Sequence, residues 1–489
     1  MTTPSADTGR TDLADRAGVD DAERREATAA VLAEAESRGL HSVRLAFADP
    51  HGMLRGKTLN AGLLAGLLAN GAGVTSALVL KDTGQNNVYP VWASGAGVGE
   101  PAMTGAGDLM MLPDPTTFRV LPWAPGTGWL LCDLYTPEAE PVGLSTRRIC
   151  AEAERRLAEN GYEFRAGLEM EFHLYRLDGQ DPGVGDARAP ADRLDIGHSH
   201  LGRVYLGERR FDTIEPFLEL IRRDLTEMGV APRSLELELG PSQVEMTFSP
   251  TSGLVAADQA TLVRSAVRQI AHRHGLHATF MSRPNFEGSF SSGWHLHQSV
   301  LDPRNGHNRF APTDAASILS STGCHYVAGL LAHGRESCLL TTPTVTGYKR
   351  YRPESLAPDR LAWGRENRGA MLRVIGGNGD PATRVENRVG DSAANPYLYL
   401  TSQMLSGLAG MEAGDAPPPA TDLPYDADAG PLLPRTLGDA IDAFATSDFY
   451  RQALGDEFVD YLATIKQSEW TRFMATVTDW EQREYFELL

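Results

Sequence analysis

With 489 residues, 42% of them hydrophobic and 22% charged, the chain is long enough for two or more cores and has an ordinary globular composition. Its 64 acidic residues outnumber 45 basic ones, and a net charge of −19 argues against nucleic acid or an anionic membrane surface as partner. Four cysteines without a CxxC pair, no apolar run of membrane length and no signal-peptide pattern lead us to expect reduced thiols in the cytoplasm.

In chain order, residues 1–19 are small and polar and are expected to be a disordered tail. Asp20 or Asp21 caps a helix that runs to about Arg38 and ends at Gly39. Val43, Leu45 and Phe47 alternate as a strand, Asp49-Pro-His-Gly52 turns, and Arg55–Leu59 returns. Strands at Asp108–Leu112 and Trp129–Leu134 complete a β-rich domain over residues 20–138, with a boundary near Pro137–Pro141. A second domain, 139–489, opens with a helix from about Thr146 to Asn160. Further helices are expected near 211–229, 254–274, 313–333 and 393–411, and through most of the chain beyond 436. Gly/Asp/Pro-rich 178–202 and Pro-rich 412–434 read as excursions. The class is α+β.

The chemistry sits on the strands. Tyr162, Phe164, Ala166, Leu168, Met170, Phe172 and Leu174 take one face of a strand, and Glu163, Arg165, Glu169, Glu171 and His173 the other. Same-face neighbours lie about 6.6 Å apart, so two carboxylates project together from a rigid base. Glu236 and Glu238 share a face, followed by Glu245; so do His295, His297 and Ser299, and Arg384, Glu386 and Arg388. Glu169, Glu171, Glu238, Glu245 and Glu386 supply hard oxygen donors and His295 a borderline nitrogen, a mixture suited to Mg²⁺ or Mn²⁺ more than Zn²⁺. Arg350, Arg368, Arg373, Arg384 and Arg388 suit phosphate or carboxylate. Metals with an arginine cluster are what phosphoryl transfer requires. Taken singly, each pattern is more often a solvated sheet face or a surface salt bridge. Their joint occurrence in this order shifts the balance.

Glu169-x-Glu171, Glu238-x-x-Pro241-x-Gln243-x-Glu245, Gly293-Trp-His295-Leu-His297, Tyr348-Lys-Arg350, Asn367-Arg368, Arg384-x-Glu386-x-Arg388 and Asp391-Ser-Ala-Ala-Asn395-Pro396 resemble the motif series of the glutamine synthetase family. Asp49-Pro-His-Gly52 and Gly107–Pro115 resemble its N-terminal domain, so the resemblance spans roughly residues 40–489. It implies a small β-grasp N-terminal domain and a large α/β catalytic domain with a curved antiparallel sheet. A ring oligomer, a dodecamer or other multiple of a hexamer, would share each active site between subunits. By motif position Glu171, Glu238 and Glu245 would hold one metal, and Glu169, His295 and Glu386 another, among two or three Mg²⁺ or Mn²⁺ per site. His297, Ser299, Arg368 and Arg373 would face ATP, with Arg373 and Arg384 catalytic at its phosphates, and Arg350 and Arg388 at the glutamate and acyl phosphate. The implied reaction activates the glutamate γ-carboxylate with ATP and passes the acyl group to an amine.

The amine side departs from the family pattern. Lys81-Asp82-Thr83-Gly84 stands where the family has an Asp-Gly-Ser-Ser loop, leaving Asp82 as the catalytic counterpart. Leu356 precedes Ala357-Pro358 where a glutamate is usual, and Phe290-Ser291-Ser292-Gly293 with Trp294 replaces Asn-Gly-Ser-Gly-Met. A weakened cation trap with added apolar groups points to an organic amine rather than ammonium, with Phe290, Ser291, Trp294 and Leu356 lining the substrate. Ammonia use and a catalytically idle structural ring stay open as alternatives, and a metal-dependent hydrolase ranks last.

Overall fold

The computed structural model of the chain describes residues 11–99, 101–178, 196–200 and 204–489. Strands β1 (Ser42–Ala48), β2 (Leu54–Asn60), β3 (Ala72–Thr75), β4 (Asp108–Pro113), β5 (Arg119–Val120) and β6 (Thr127–Tyr135) form a first sheet in the order β2-β1-β6-β4-β3, with β5 beside β6. The β1–β2 hairpin closes on Gly52, whose φ of +71° a residue without a side chain adopts freely. Asp49 stiffens the turn by accepting from the His51 and Met53 amides at 3.0 Å.

The second sheet holds β7 (Glu163–Leu177), β8 (Ile196–His198), β9 (Pro232–Leu237), β10 (Gln243–Phe248), β11 (Leu276–Thr279), β12 (Trp294–Leu301), β13 (Trp363–Arg365), β14 (Leu372–Ile375) and β15 (Arg384–Asn387). Its order is β13-β14-β15-β12-β7-β10-β9, with β8 and β11 also paired to β7. All its ladders are antiparallel except β13–β14, which is parallel. The apolar face of β7 is the floor of the core: Phe164, Ala166, Leu168, Met170, Phe172 and Leu174 are buried. Helices Thr146–Glu159, Gly253–Arg273 and Pro396–Ala413 pack beneath it. The last of these is apolar nearly all round and correspondingly buried along its length.

Several expectations shift. The first ten residues of the expected tail lie outside the described residues, but Leu13–Arg16 is a helix that buries Leu13 and Ala14 against Leu112, Tyr135 and Ala139. The helix expected from 313 starts at Ser321, because Asp314 folds the preceding residues into a turn and Ser320 provides the cap. Much of the 178–202 excursion lies outside the described residues, yet Ile196–His198 pairs with β7. The Pro-rich run 412–434 is tied to the sheet edge: Trp363 Nε1 donates to the Pro418 carbonyl at 2.6 Å and Leu433 is buried.

Polar bolts join the regions that carry the two sheets. Buried Arg264 donates to the carbonyls of Gly52 (2.9 Å) and Ala394 (2.6 Å), and Asn395 Nδ2 donates to those of Asp49 and Pro50. Arg147 spans Asp114 and Asp133 on one side and Asp258 on the other, at 2.7, 2.8 and 2.9 Å.

Candidate metal and phosphate centre

Strand register assembles the site. Antiparallel pairing sets His295 opposite Glu169, Glu245 opposite Glu171, Glu386 opposite His297 and Arg373 opposite Glu386. Because partners across a ladder project to the same side, five strands contribute to one polar face above the buried floor.

Glu169 is the hub. His295 Nδ1 donates to its Oε2 at 3.1 Å and His297 Nε2 to its Oε1 at 2.7 Å. Arg384 Nε donates to His297 Nδ1 at 3.0 Å, which fixes the proton of that ring on Nε2. Burial opposes ionisation of Glu169, but the two imidazoles outweigh it and hold the carboxyl below the usual range. Glu386 likewise ionises easily despite burial: Arg388 pairs with its Oε1, and Arg373 reaches its Oε2 at 3.1 Å.

The carboxylates on the β7–β10 side behave oppositely. Burial, then the facing Glu238, pushes Glu171 up to about 8, and burial with Glu171 and Glu169 pushes Glu245 up to about 10. Glu238 is also raised, first by burial. Buried carboxylates turned on one another ask for a cation. Donor atoms converge in two groups, Glu169–Glu245–His295 and Glu169–His297–Glu386, each within 4.8 Å. This grouping differs from the ligand sets that the resemblance implies. Glu169 is common to both groups and His297 joins the second, while Glu171, Glu238 and Glu245 do not converge as a trio. The reason is local: both imidazoles already bond Glu169, and Glu238 stands at the sheet edge, accepting from the Leu239 amide at 3.2 Å.

The residues fit a divalent cation. With Nδ1 bonded to Glu169, His295 Nε2 is left as a bare lone pair 3.9 Å from Glu171 Oε1. The gap beside both is kept open by Gly293, where a Cβ would stand 2.8 Å from His295 Nε2, 3.2 Å from Glu171 Oε1 and 2.7 Å from Arg350 Nη2. Oxygen donors with a single imidazole nitrogen suit a hard cation.

The arginines divide into spent and available. Arg350 is buried and committed to the carbonyls of Arg388, Val389 and Gly390. Arg388 adds the Arg368 and Leu356 carbonyls to its carboxylate partner, so it frames the pocket wall. Arg373 keeps a buried Nε without a partner, a free donor beside the second cluster. Arg368 is exposed, and Ser299 lies farther along the same face of β12, opposite Arg165.

Of the residues expected on the substrate side, Phe290 is 44% exposed, Leu356 is 53% exposed with φ +59°, and the Ser291 carbonyl accepts from Gln243. Trp294 does not line the substrate. It alternates with His295 and so points into the core, fully buried, with its ring 5.0 Å from that of Tyr399. Nor does Asp82 join its own chain's cluster. It is buried under Asn86, Ser468 (2.9 Å) and Arg472 (3.0 Å). Gln243 was absent from the expected site residues, yet its Nε2 donates to Glu171 Oε2 at 2.7 Å. Its place two residues before Glu245, on the same strand face, is the signal that marks it. Burial, then Glu238 and Glu245, push the Tyr205 phenol up to about 12.

Two carboxylate–imidazole groups sharing one glutamate, fringed by guanidinium groups, define a divalent-metal centre built for phosphoryl chemistry. The family pattern of the glutamine synthetase catalytic domain matches residues 143–485. The chain belongs to the glutamine synthetase family, whose ligases use ATP and divalent metals. It is 41% identical over 485 residues to a gamma-glutamylanilide synthase of an Acinetobacter species, covering 95% of this chain and 97% of that one. It is 33% identical over 453 residues to the gamma-glutamylethanolamide synthetase of Streptomyces coelicolor, covering 92% and 93%. The solved GmaS/ADP complex superposes with a TM-score of 0.78 at 25% identity, over 94% of this chain and 99% of that one.

Proposed function

We propose that this ATP-dependent carboxylate–amine ligase joins the γ-carboxylate of glutamate to an organic amine, with aromatic amines of the aniline type the first candidates. The observation that carries the reading is the rim. Leu356 is exposed, yet its carbonyl is held by Arg388, the same guanidinium that pairs with Glu386. An apolar side chain therefore stands one residue's reach from the metal cluster, with exposed Phe290 also at the rim. Similarity to ligases named for anilide and ethanolamide products supports it.

Bound Mg²⁺ or Mn²⁺ would supply charge neutralisation for the phosphates and the carboxylate. The candidate holders are Glu169, Glu245, His295, His297 and Glu386, flanked by Glu171 and Glu238. A carboxylate oxygen of glutamate attacks the terminal phosphorus of ATP and ADP leaves. The amine nitrogen then attacks the acyl carbon, phosphate departs and the nitrogen loses its proton. Arg373 and Arg384 would stabilise negative charge during transfer, and Arg388 would orient the rim.

We further propose a ring oligomer, a dodecamer or other multiple of a hexamer, with each active site shared between subunits. Native mass spectrometry tests the assembly. Four free cysteines support a cytoplasmic setting, and among the described residues no helix is long and apolar enough to cross a membrane.

The decisive assay follows ADP release with glutamate and Mg²⁺ against ammonium, aniline, ethanolamine and isopropylamine, with products identified by mass. We expect an organic amine to exceed ammonium by at least about tenfold in kcat/KM, roughly 1.4 kcal/mol in transition-state binding. Ammonium as the best acceptor would overturn the reading.

A further inference from the structure

Beside Glu169 and Glu171, on the same face of β7, stands a third polar residue that the chemistry above does not use. His173 is fully buried, and Gln243 is its register partner on β10. Its Nε2 donates to the Phe290 carbonyl at 3.2 Å, and its Nδ1 accepts from Ser292 Oγ at 3.2 Å. The ring lies parallel to that of Tyr175, with centroids 6.1 Å apart, and Tyr175 in turn contacts Phe286 at 5.0 Å. Nothing in that packing requires an imidazole. The two hydrogen bonds do.

They belong to a wider pattern. Gln243 Nε2 donates to the Ser291 carbonyl at 3.3 Å, and the Glu171 amide donates to the Gly293 carbonyl at 3.1 Å. The carbonyls of residues 290, 291 and 293 are thus turned inward onto β7 and β10. The Ser292 amide anchors the remaining peptide to the Ser282 carbonyl at 2.7 Å. With its carbonyl pinned inward, Phe290 presents its side chain outward at the rim. Gln243 holds Glu171 and Ser291 together, so the same strand pair sets a metal-side carboxylate and the substrate loop.

We propose that His173 is a positioning residue that fixes the Phe290–Gly293 loop against the catalytic sheet and thereby sets the affinity for the acceptor amine. The inference rests on the organic-amine reading for the chemistry of the acceptor, though not for the existence of the clamp. His173 touches no reacting atom. It acts through the loop, as substrate-positioning groups do, where small displacements cost large factors in rate.

The test uses full-length enzyme and His173→Phe, which keeps the stacked ring without its hydrogen bonds. His173→Gln restores a donor and an acceptor, and Ser292→Ala cuts the Nδ1 link alone. KM is measured for ATP and for whichever acceptor the wild type prefers, together with the aniline-to-ammonium kcat/KM ratio. We expect His173→Phe to raise the acceptor KM about tenfold and lower the selectivity ratio. The KM for ATP should stay within about twofold, since the nucleotide-side arginines are untouched. His173→Gln should recover part of the loss, and Ser292→Ala should show a smaller loss of the same kind. Equal shifts in both KM values, or no shift in a protein of unchanged melting temperature, would overturn the proposal. Should His173→Phe fail to fold, the Gln and Ala variants decide by the same criterion. A wild type that prefers ammonium would defeat the organic-amine reading alone, because the clamp is then read on the ammonium KM.

Discussion

At the scale of single residues, Gly293 shows how a site can depend on an absent atom. A methyl group there would meet Arg350, His295 and Glu171 together, and Arg350 has no freedom to retreat because three backbone carbonyls hold it. Gly293→Ala is expected to lower turnover by about a hundredfold or more, since misplacement of about 1 Å can cost that factor. A loss of turnover larger than any loss of stability separates the effect on the chemistry from the cost of crowding buried Arg350. Steady-state turnover beside a thermal melt checks this, and near-normal turnover would mean that the space above Gly293 is not where the chemistry occurs.

At the scale of elements, Arg147 is the clearest case of one side chain serving the architecture. It leaves the helix Thr146–Glu159 and pairs with Asp114 just after β4, Asp133 in β6 and Asp258 in the helix Gly253–Arg273. Removing one partner from a buried ion cluster leaves charges uncompensated. Arg147→Met should therefore destabilise the fold by about 3 kcal/mol in denaturant titration. The pH dependence has a definite sign. Burial opposes ionisation of Asp114, but Arg147 outweighs it and sets the folded pKa below the ordinary value. That contribution is complete above about 3.9 and is lost as pH falls through the folded value. The gap between wild type and variant should be widest near neutrality and narrow on acidification, and a gap independent of pH would contradict the assignment.

At the scale of the whole molecule, the repulsive carboxylates make metal binding part of stability. A ligand that binds only the folded state stabilises it by about 2.7 kcal/mol at a hundred times its Kd. Mn²⁺ or Mg²⁺ should raise the thermal midpoint, and a chelator should reverse the effect. Glu245→Gln is expected to melt at or above the metal-free wild type, because it removes one of the facing carboxyls, and to lose most of the metal-dependent gain. Retention of the full gain would take Glu245 out of the metal set.

The sequence by itself determined much of this protein. Period-two alternation placed β7 and its carboxylate face, because side chains on a strand must alternate and only one face can be apolar. Ordered motifs identified the family and marked Glu169, Glu171, Glu245, His295 and Glu386, since metal and phosphate chemistry limits which residue types serve. Spacing could not decide the rest. Register across β7, β10, β12 and β15 chose which donors converge, making Glu169 the shared group and bringing in His297 and Gln243. Alternation assigned Trp294 to the core the moment His295 was assigned to the site, although adjacency in the motif had suggested a common role. Asp82 reads as catalytic by motif position, yet folding buries it against Ser468 and Arg472, some 390 residues later in the chain. Local pattern fixes the face on which a side chain stands. Only the pairing of distant strands fixes what it meets there.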